Sequence, residues 1–278
     1  MGISGTGALN VDAEGTVKNT YGYSGWGTAG HGIVTVLGAG ALWQSSQELS
    51  IGNSGTGWLN VGAGGTVKNT SGYLGWGSTG NGTVTVAGTG ALWENSLALN
   101  VGNNGAGVLG VGAGGVVKST DGYIGTSSAG NGTATIEGAG ALWDNSLGLR
   151  VGYSGNGALN IGAGGTVKST FGNIAQAITG NGTVTVAGTG ALWQNSNILI
   201  VGVSGTGALN VGAGGTVTNK YGYIGNSSTG NGAGTVSGAG ALWENSVELH
   251  VGDGGTGALA IADDGTIASA PAARALSR

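Results

Sequence analysis

The stretch TVTVAGTGALWENS, from Thr83 to Ser96, contains the features that decide the fold. Its first four residues alternate threonine and valine, and this period of two residues predicts a β-strand with one buried face. A glycine-rich turn follows, and a second short run ends on Trp93 and Glu94. Side chains alternate across a strand, so Trp93 and Glu94 must face opposite ways. The direction of Trp93 therefore decides which face of this second run is buried.

The same stretch recurs every 50 residues, with its tryptophan at Trp43, Trp143, Trp193 and Trp243. A related, shorter pattern, IGNSGTGWLNVGAGGTVKNT from Ile51, precedes it within each repeat. The second half of each repeat is slightly longer than the first, and each half holds three short runs separated by Gly, Asn and Ser. Such runs indicate strands and turns. Three short strands repeated at this interval predict one coil of a parallel β-helix.

We predict an all-β fold, a single right-handed parallel β-helix of about 11 coils with two coils per 50-residue repeat. The repeats cover 1–50, 51–100, 101–150, 151–200, 201–250 and a partial 251–267. Residues 268–278 leave the pattern and contain the single proline, which indicates a C-terminal tail or cap. The Asn-Gly pairs that begin at 81, 131, 181 and 231 are interpreted as turns.

Composition excludes several classes of protein. Glycine accounts for 67 of 278 residues, yet 39% of residues are apolar and only 7% are charged, which is the reverse of a disordered chain. The net charge of −4 and the lack of a basic cluster argue against a nucleic-acid partner. Cysteine is absent, and His31 and His250 have no partner at metal-binding spacing. We therefore expect no metal and no cofactor.

The sequence shows neither a membrane-spanning run nor a signal peptide. No apolar run approaches the roughly 18 residues that a spanning helix needs. The residues after Met1, GISGTG, have neither a basic start nor an apolar core. Met1 occupies the repeat position of Ile51 and Val101, so the chain is interpreted as a fragment that begins inside a coil.

The repeat IGNSGTGWLNVGAGGTV followed by GNGTVTVAGTGALWENS resembles that of type V secretion (autotransporter) passengers, also found in some PEP-CTERM-sorted proteins. The glycine spacing, the tryptophan and the L-x-V-G from Leu99 to Gly102 carry this resemblance over residues 1 to about 267. It implies a β-helix displayed at the surface of a Gram-negative bacterium, often as an adhesin or its stalk. The chain departs from the family pattern in lacking a C-terminal translocator barrel and a sorting motif.

Burial of Glu94 would be costly without a partner, so we predict that Trp93 points inward and Glu94 outward. Glu94 then follows Lys68 on one outer row, in which opposite charges or a charge and a neutral group alternate. The row is predicted to contain Lys18, Gln44, Lys68, Glu94, Lys118, Asp144, Lys168, Gln194, Thr218 and Glu244. A repeated ladder indicates strand pairing rather than a catalytic acid and base.

Two other patterns are given structural interpretations. The GxGxxG match from Gly75 to Gly80 precedes a strand rather than the helix that a nucleotide site requires, so its glycines are interpreted as turn residues. The outward Thr83 and Thr85 are predicted to alternate with Trp58 and Asn60 of the previous coil. That alternation interrupts the flat threonine array that ice binding would use.

The exposed aromatic residues are the candidate contact surface. Tyr23, Tyr73, Tyr123 and Tyr223 are predicted to point outward from the third strand of alternate coils, with Arg150 on the same row. Trp26 and Trp76 lie in the adjoining turn. Such rings could stack on sugars or contact proteins, or they could form a surface ladder packed on itself.

These observations favour a non-enzymatic cell-surface module that acts in adhesion, in aggregation or as a stalk. The alternatives are a polysaccharide-active β-helix enzyme and an ice- or crystal-surface binder, for which the carboxylates and threonines are poorly placed. The expected partners are surface glycans or proteins, together with self-association through the open strand edges at the solenoid ends. No catalytic residue is assigned.

Overall fold

The computed structural model describes residues 1–269, which form 26 strands and no helix. The strands of the first half are β1 (Thr6–Val11), β2 (Thr16–Asn19), β3 (Gly22–Ser24), β4 (His31–Val36), β5 (Leu42–Ser45), β6 (Leu49–Ile51), β7 (Thr56–Val61), β8 (Thr66–Asn69), β9 (Gly72–Leu74), β10 (Asn81–Val86), β11 (Leu92–Asn95), β12 (Ala98–Val101) and β13 (Ala106–Val111). Those of the second half are β14 (Val116–Ile124), β15 (Asn131–Ile136), β16 (Leu142–Val151), β17 (Asn156–Ile161), β18 (Thr166–Ile174), β19 (Asn181–Val186), β20 (Ala191–Val201), β21 (Thr206–Val211), β22 (Gly215–Ile224), β23 (Asn231–Ser237), β24 (Leu242–Val251), β25 (Thr256–Ala262) and β26 (Thr266–Ser269).

The strands stack in parallel, coil upon coil. One 11-stranded sheet runs from β1 to β25 and takes the first strand of every coil. A second sheet begins at β2, ends at β26 and takes the second and third strands, which merge from β14 onward. The predicted parallel β-solenoid of about 11 coils, with two coils in each repeat, is confirmed.

The two coils of a repeat differ only at their corners. In the first sheet the register advances by an equal step from coil to coil, from Thr6 to His31 and then to Thr56. At the third strand the steps are unequal, because the one from Gly22 to Leu49 is longer than the one from Leu49 to Gly72. Longer and shorter corners therefore compensate within each repeat, which explains the unequal halves of the sequence.

The core consists of the inward side chains of all three strands, and its largest members are the repeated tryptophans. Trp43, Trp93, Trp143, Trp193 and Trp243 are at most 1% exposed. The predicted inward direction of Trp93 is thus confirmed. Gly72 provides the space, because a Cβ at Gly72 would lie 2.8 Å from Cζ2 of Trp93.

A buried row of polar side chains lies beside the tryptophans, at the corner after the second strand. Asn69 Oδ1 accepts a 2.7 Å hydrogen bond from Trp93 Nε1, and Asn69 Nδ2 donates to Asn95 Oδ1 at 2.6 Å. Asn95 in turn donates to the carbonyl of Lys118. In this second repeat, neighbouring coils therefore satisfy one another's buried polar groups, as burial requires.

The fourth repeat breaks this chain of hydrogen bonds, which leads to a prediction. Ser169 Oγ donates to Asn195 Oδ1, whereas Trp193 Nε1 and Asn195 Nδ2 have no hydrogen-bond partner. Ser169→Asn would restore the acceptor for Trp193 and should stabilise the fold by about 1 kcal/mol. The denaturant midpoint should rise. Ser119→Asn is the control, because Trp143 Nε1 already bonds Ser119 Oγ at 3.2 Å, and a rise of equal size there would contradict the explanation.

The prediction of turns at the Asn-Gly pairs is wrong, because each pair begins a strand, as Asn81 and Gly82 begin β10. Glycine is needed there for another reason, since a Cβ at Gly82 would lie 2.0 Å from the carbonyl oxygen of Ile51. The predicted tail or cap covers 268–278, but its first two residues belong to strand β26, which ends at Ser269. Residues 270–278 lie outside the described residues. Within residues 1–269, no helix has the length and hydropathy that crossing a bilayer requires.

Candidate functional site

The outward positions of the third strands form one row along the solenoid, which we call the tyrosine row. In register order it contains Tyr23, Ser50, Tyr73, Asn100, Tyr123, Arg150, Asn173, Ile200, Tyr223 and His250. One coil separates Tyr23 from Tyr73 and Tyr73 from Tyr123, and three coils separate Tyr123 from Tyr223. The tyrosines of the row therefore do not pack on one another, contrary to the self-packed ladder. Their neighbours differ and divide the row into three groups.

The first group lies in the N-terminal coils. Tyr23 packs edge-to-face on Trp26 with ring centroids 4.2 Å apart, and Tyr73 packs on Trp76 in the same way at 4.1 Å. Trp26 is 42% exposed and Trp76 is half-buried. Two strand steps separate the pairs, so they repeat at about 9.6 Å along the rod. The four predicted contact residues are therefore brought together as two equivalent aromatic pairs.

Glu48 and Ser50 lie between the two pairs. Ser50 is in register with both tyrosines, and Glu48 lies two residues before it, just ahead of strand β6. Burial raises the pKa of Tyr23 and of Tyr73, and the negative charge of Glu48 raises both further. Both phenols therefore stay protonated at neutral pH, since tyrosine already titrates near pH 10. We call Tyr23, Trp26, Glu48, Ser50, Tyr73 and Trp76 the N-terminal aromatic site.

The second group surrounds Arg150. Its guanidinium carbon lies 4.9 Å from the centroid of the Tyr123 ring, and Nη1 is 2.7 Å from Oδ1 of Asp121. Tyr153 packs edge-to-face on Tyr123 at 5.5 Å. Arg150 is thus held by an ion pair and a cation–π contact. Tyr123 and Arg150, the two predicted contact residues in this group, therefore contact each other.

The third group contains Tyr223 and His250, whose rings stack at 5.1 Å with an angle of 19°. His250 Nε2 lies 3.2 Å from Oε2 of Glu248, and its Nδ1 lies 3.7 Å from Oδ1 of Asp253. Burial, followed by the charges of Glu248 and Asp253, raises the pKa of Tyr223. Here too the tyrosine has a partner that can carry a positive charge.

Sequence reasoning identified the aromatic residues of this row but missed its acids. Asp121 precedes Tyr123 on the same strand and points to the same face, as alternation requires. Glu48 follows Tyr21 at the offset of the longer coil, the same offset that places Leu49 beside Gly22. Applying the two coil lengths to every outward position would have placed both acids beside the tyrosines.

The predicted charged row exists in register, but few of its members form ion pairs. Glu94 is paired with Lys68 and Lys118 on the neighbouring strands. Lys68 Nζ lies 3.0 Å from Glu94 Oε2, and both side chains are 40% exposed or more. No other pair in this row comes within 4.0 Å in residues 1–269. Such an exposed pair stabilises by less than about 1 kcal/mol.

The outer face of the first sheet also follows the expected order. Thr83 is paired with Trp58 on one side and Val108 on the other. Trp58 is 41% exposed. At the register position of Thr83, threonine therefore occupies alternate coils at most. Apolar side chains in the intervening coils interrupt any continuous threonine array. The glycines of the GxGxxG match precede strand β10, as predicted. Within the described 1–269, three or more potential metal-binding side chains never cluster.

No protein-family model matches this chain, and no curated protein matches it. Among solved structures, the chain is similar to a fragment of TibA, residues 55–350, that was hyper-glycosylated in a reaction catalysed by TibC. The two are 18% identical, the similarity covers 94% of each chain, and the TM-score is 0.31. That score is too low to carry a functional inference.

Proposed function

We propose that this chain is a non-enzymatic adhesion module of an autotransporter-like passenger, displayed at the surface of a Gram-negative bacterium. The N-terminal aromatic site is its contact surface, and surface glycans are its partners. The observation that carries the proposal is the pair of Tyr–Trp contacts, repeated on a rigid solenoid with Trp26 42% exposed. Aromatic rings fixed in this way offer apolar faces on which sugar rings can stack.

The surface location and the passenger role are supported by the resemblance of the repeat, and the aromatic site supports adhesion. The alternative of a polysaccharide-active enzyme would need paired acids with differing environments. The nearest candidate, Lys68 with Glu94, is an exposed ion pair in a repeated row. Self-association through the solenoid ends remains a prediction.

Removing the exposed indoles should weaken glycan binding. We expect Trp26→Ala combined with Trp76→Ala to lower the affinity for a bound oligosaccharide about tenfold, or ~1.4 kcal/mol. The measurement is binding of the purified chain to immobilised glycans, followed by titration with the best ligand. Trp58→Ala is the matched control, because Trp58 is 41% exposed but lies on the first sheet.

Two results would contradict the proposal. An equal loss of affinity in Trp58→Ala would mean that an exposed tryptophan on either sheet contributes to glycan binding, so the N-terminal aromatic site would not be the specific contact surface. Release of sugar by the purified chain, abolished by Glu94→Gln, would establish the enzymatic alternative instead.

A further inference from the structure

The chain places a basic side chain of its own against a tyrosine at two points of the tyrosine row. Arg150 lies over Tyr123 and pairs with Asp121. His250 stacks on Tyr223 and lies beside Glu248. Each point thus combines a tyrosine, a carboxylate and a nitrogen base or cation from the next coil. A cation on an aromatic face is attracted by the ring quadrupole, and the carboxylate adds to this attraction.

The N-terminal aromatic site has the same arrangement without the cation. Ser50 occupies the repeat position of Arg150 and His250 in an earlier repeat. Glu48 likewise occupies the position of Glu248. Ser50 is flanked in register by a tyrosine on each side, Tyr23 and Tyr73. The tyrosines and the acid are therefore present, and a short neutral side chain stands where the positive group would be.

Two polar groups at this point lack partners. Ser50 is only 2% exposed, yet its Oγ makes no hydrogen bond. By contrast, Asn100, the next buried polar residue of the row, accepts a hydrogen bond from Thr126. Glu48 has no basic group within 4.0 Å among residues 1–269. A buried hydroxyl without a partner is costly, so a ligand that supplies donors to both groups would be favoured.

We propose that the N-terminal aromatic site binds the protonated amine of an amino sugar, in the place that Arg150 and His250 take elsewhere on the row. This inference rests on the proposed glycan-binding function. The ammonium would pair with Glu48 between the two tyrosine rings, and the sugar ring would lie against Trp26 or Trp76. Rotation of one half-buried tyrosine opens Ser50 Oγ to the ammonium, which has three donors to share between the two acceptors.

The test compares two oligomers of the same sugar, one with free amines and one with neutral acetamides. The complete chain is titrated at about pH 6, where glutamate is ionised, with an oligomer of glucosamine and with the N-acetylated oligomer of equal length. We expect the amine to bind about tenfold more tightly than the neutral oligomer. Glu48→Gln should remove this preference and leave binding of the neutral oligomer unchanged. Glu137→Gln, an acid on another corner, is the control and should change neither affinity.

A second variant tests the comparison with Arg150. Ser50→Arg supplies an internal cation, so it should also remove the preference for the amine while the circular dichroism spectrum stays that of the wild type.

Binding of both oligomers with equal affinity to the wild type would overturn this inference and leave the proposed function intact. Binding of neither would also overturn this inference, whereas loss of the proposed function would require that no immobilised glycan binds the chain. Displacement of the amino sugar by an equal concentration of a lysine oligomer would assign the site to protein partners and overturn the sugar assignment.

Discussion

Replacement of Trp93 by alanine should lower the free energy of unfolding by about 3–5 kcal/mol, as removal of a fully buried large aromatic side chain does elsewhere. Trp93 is 0% exposed, and its ring fills the space left by Gly72 in the coil below. The backbone on each side belongs to a continuous parallel sheet, so the cavity cannot collapse without shifting several coils. The substitution also leaves Asn69 Oδ1 without the donor that Trp93 Nε1 provides.

The effect of Trp93→Ala should be local at first, because each coil of a solenoid contacts mainly its neighbours. Hydrogen exchange should therefore accelerate most at Val67 and Val117, which pair with Trp93 in β8 and β14. Leu92→Ala is the control, since Leu92 is the neighbouring residue on the outer face and is half-buried. A change in denaturant midpoint no larger than that of Leu92→Ala would show that Trp93 is dispensable to the core.

The sequence alone was sufficient to predict the fold because one rule applies to every coil. The 50-residue period predicts stacking, and alternation within each run predicts the inward residues, including Trp93. The pairing of Glu94 with Lys68 followed from the same alternation. Asn-Gly at 81 was misinterpreted because turn propensity is a local property. At Gly82 a contact with Ile51, which is distant in the sequence, decides the residue instead.

The candidate site could be predicted only in part. Outward tyrosines are visible from alternation, but their partners depend on which residue the next coil places beside them. Arg150 and His250 engage Tyr123 and Tyr223, whereas Ser50 leaves Tyr23 and Tyr73 without such a partner. The alternation of longer and shorter coils determines this pairing. The pairing of Trp93 with Asn69 was missed because a buried asparagine has no signal of its own in an Asn-rich sequence.

The effect of replacing a glycine by alanine on the free energy of unfolding should depend strongly on its position in the coil. Gly82→Ala is expected to destabilise the solenoid by about 3 kcal/mol, because overpacking against a rigid backbone has costs of this order. The new Cβ would lie 2.0 Å from the carbonyl oxygen of Ile51 and 2.8 Å from the amide nitrogen of Gly75. Both are backbone atoms, so neither can move away by changing rotamer.

Gly110→Ala, on the adjacent strand β13, should have the opposite sign. Gly110 is in register with Thr85 on the outer face, and the nearest atom to its Cβ would be the carbonyl oxygen of Val84 at 3.9 Å. Alanine there is expected to stabilise by about 0.5–1 kcal/mol, because it restricts the unfolded chain without a clash. Urea midpoints of the two variants measure both effects. A fall of similar size in both would mean that the close approach of stacked coils does not explain why glycine is required at position 82.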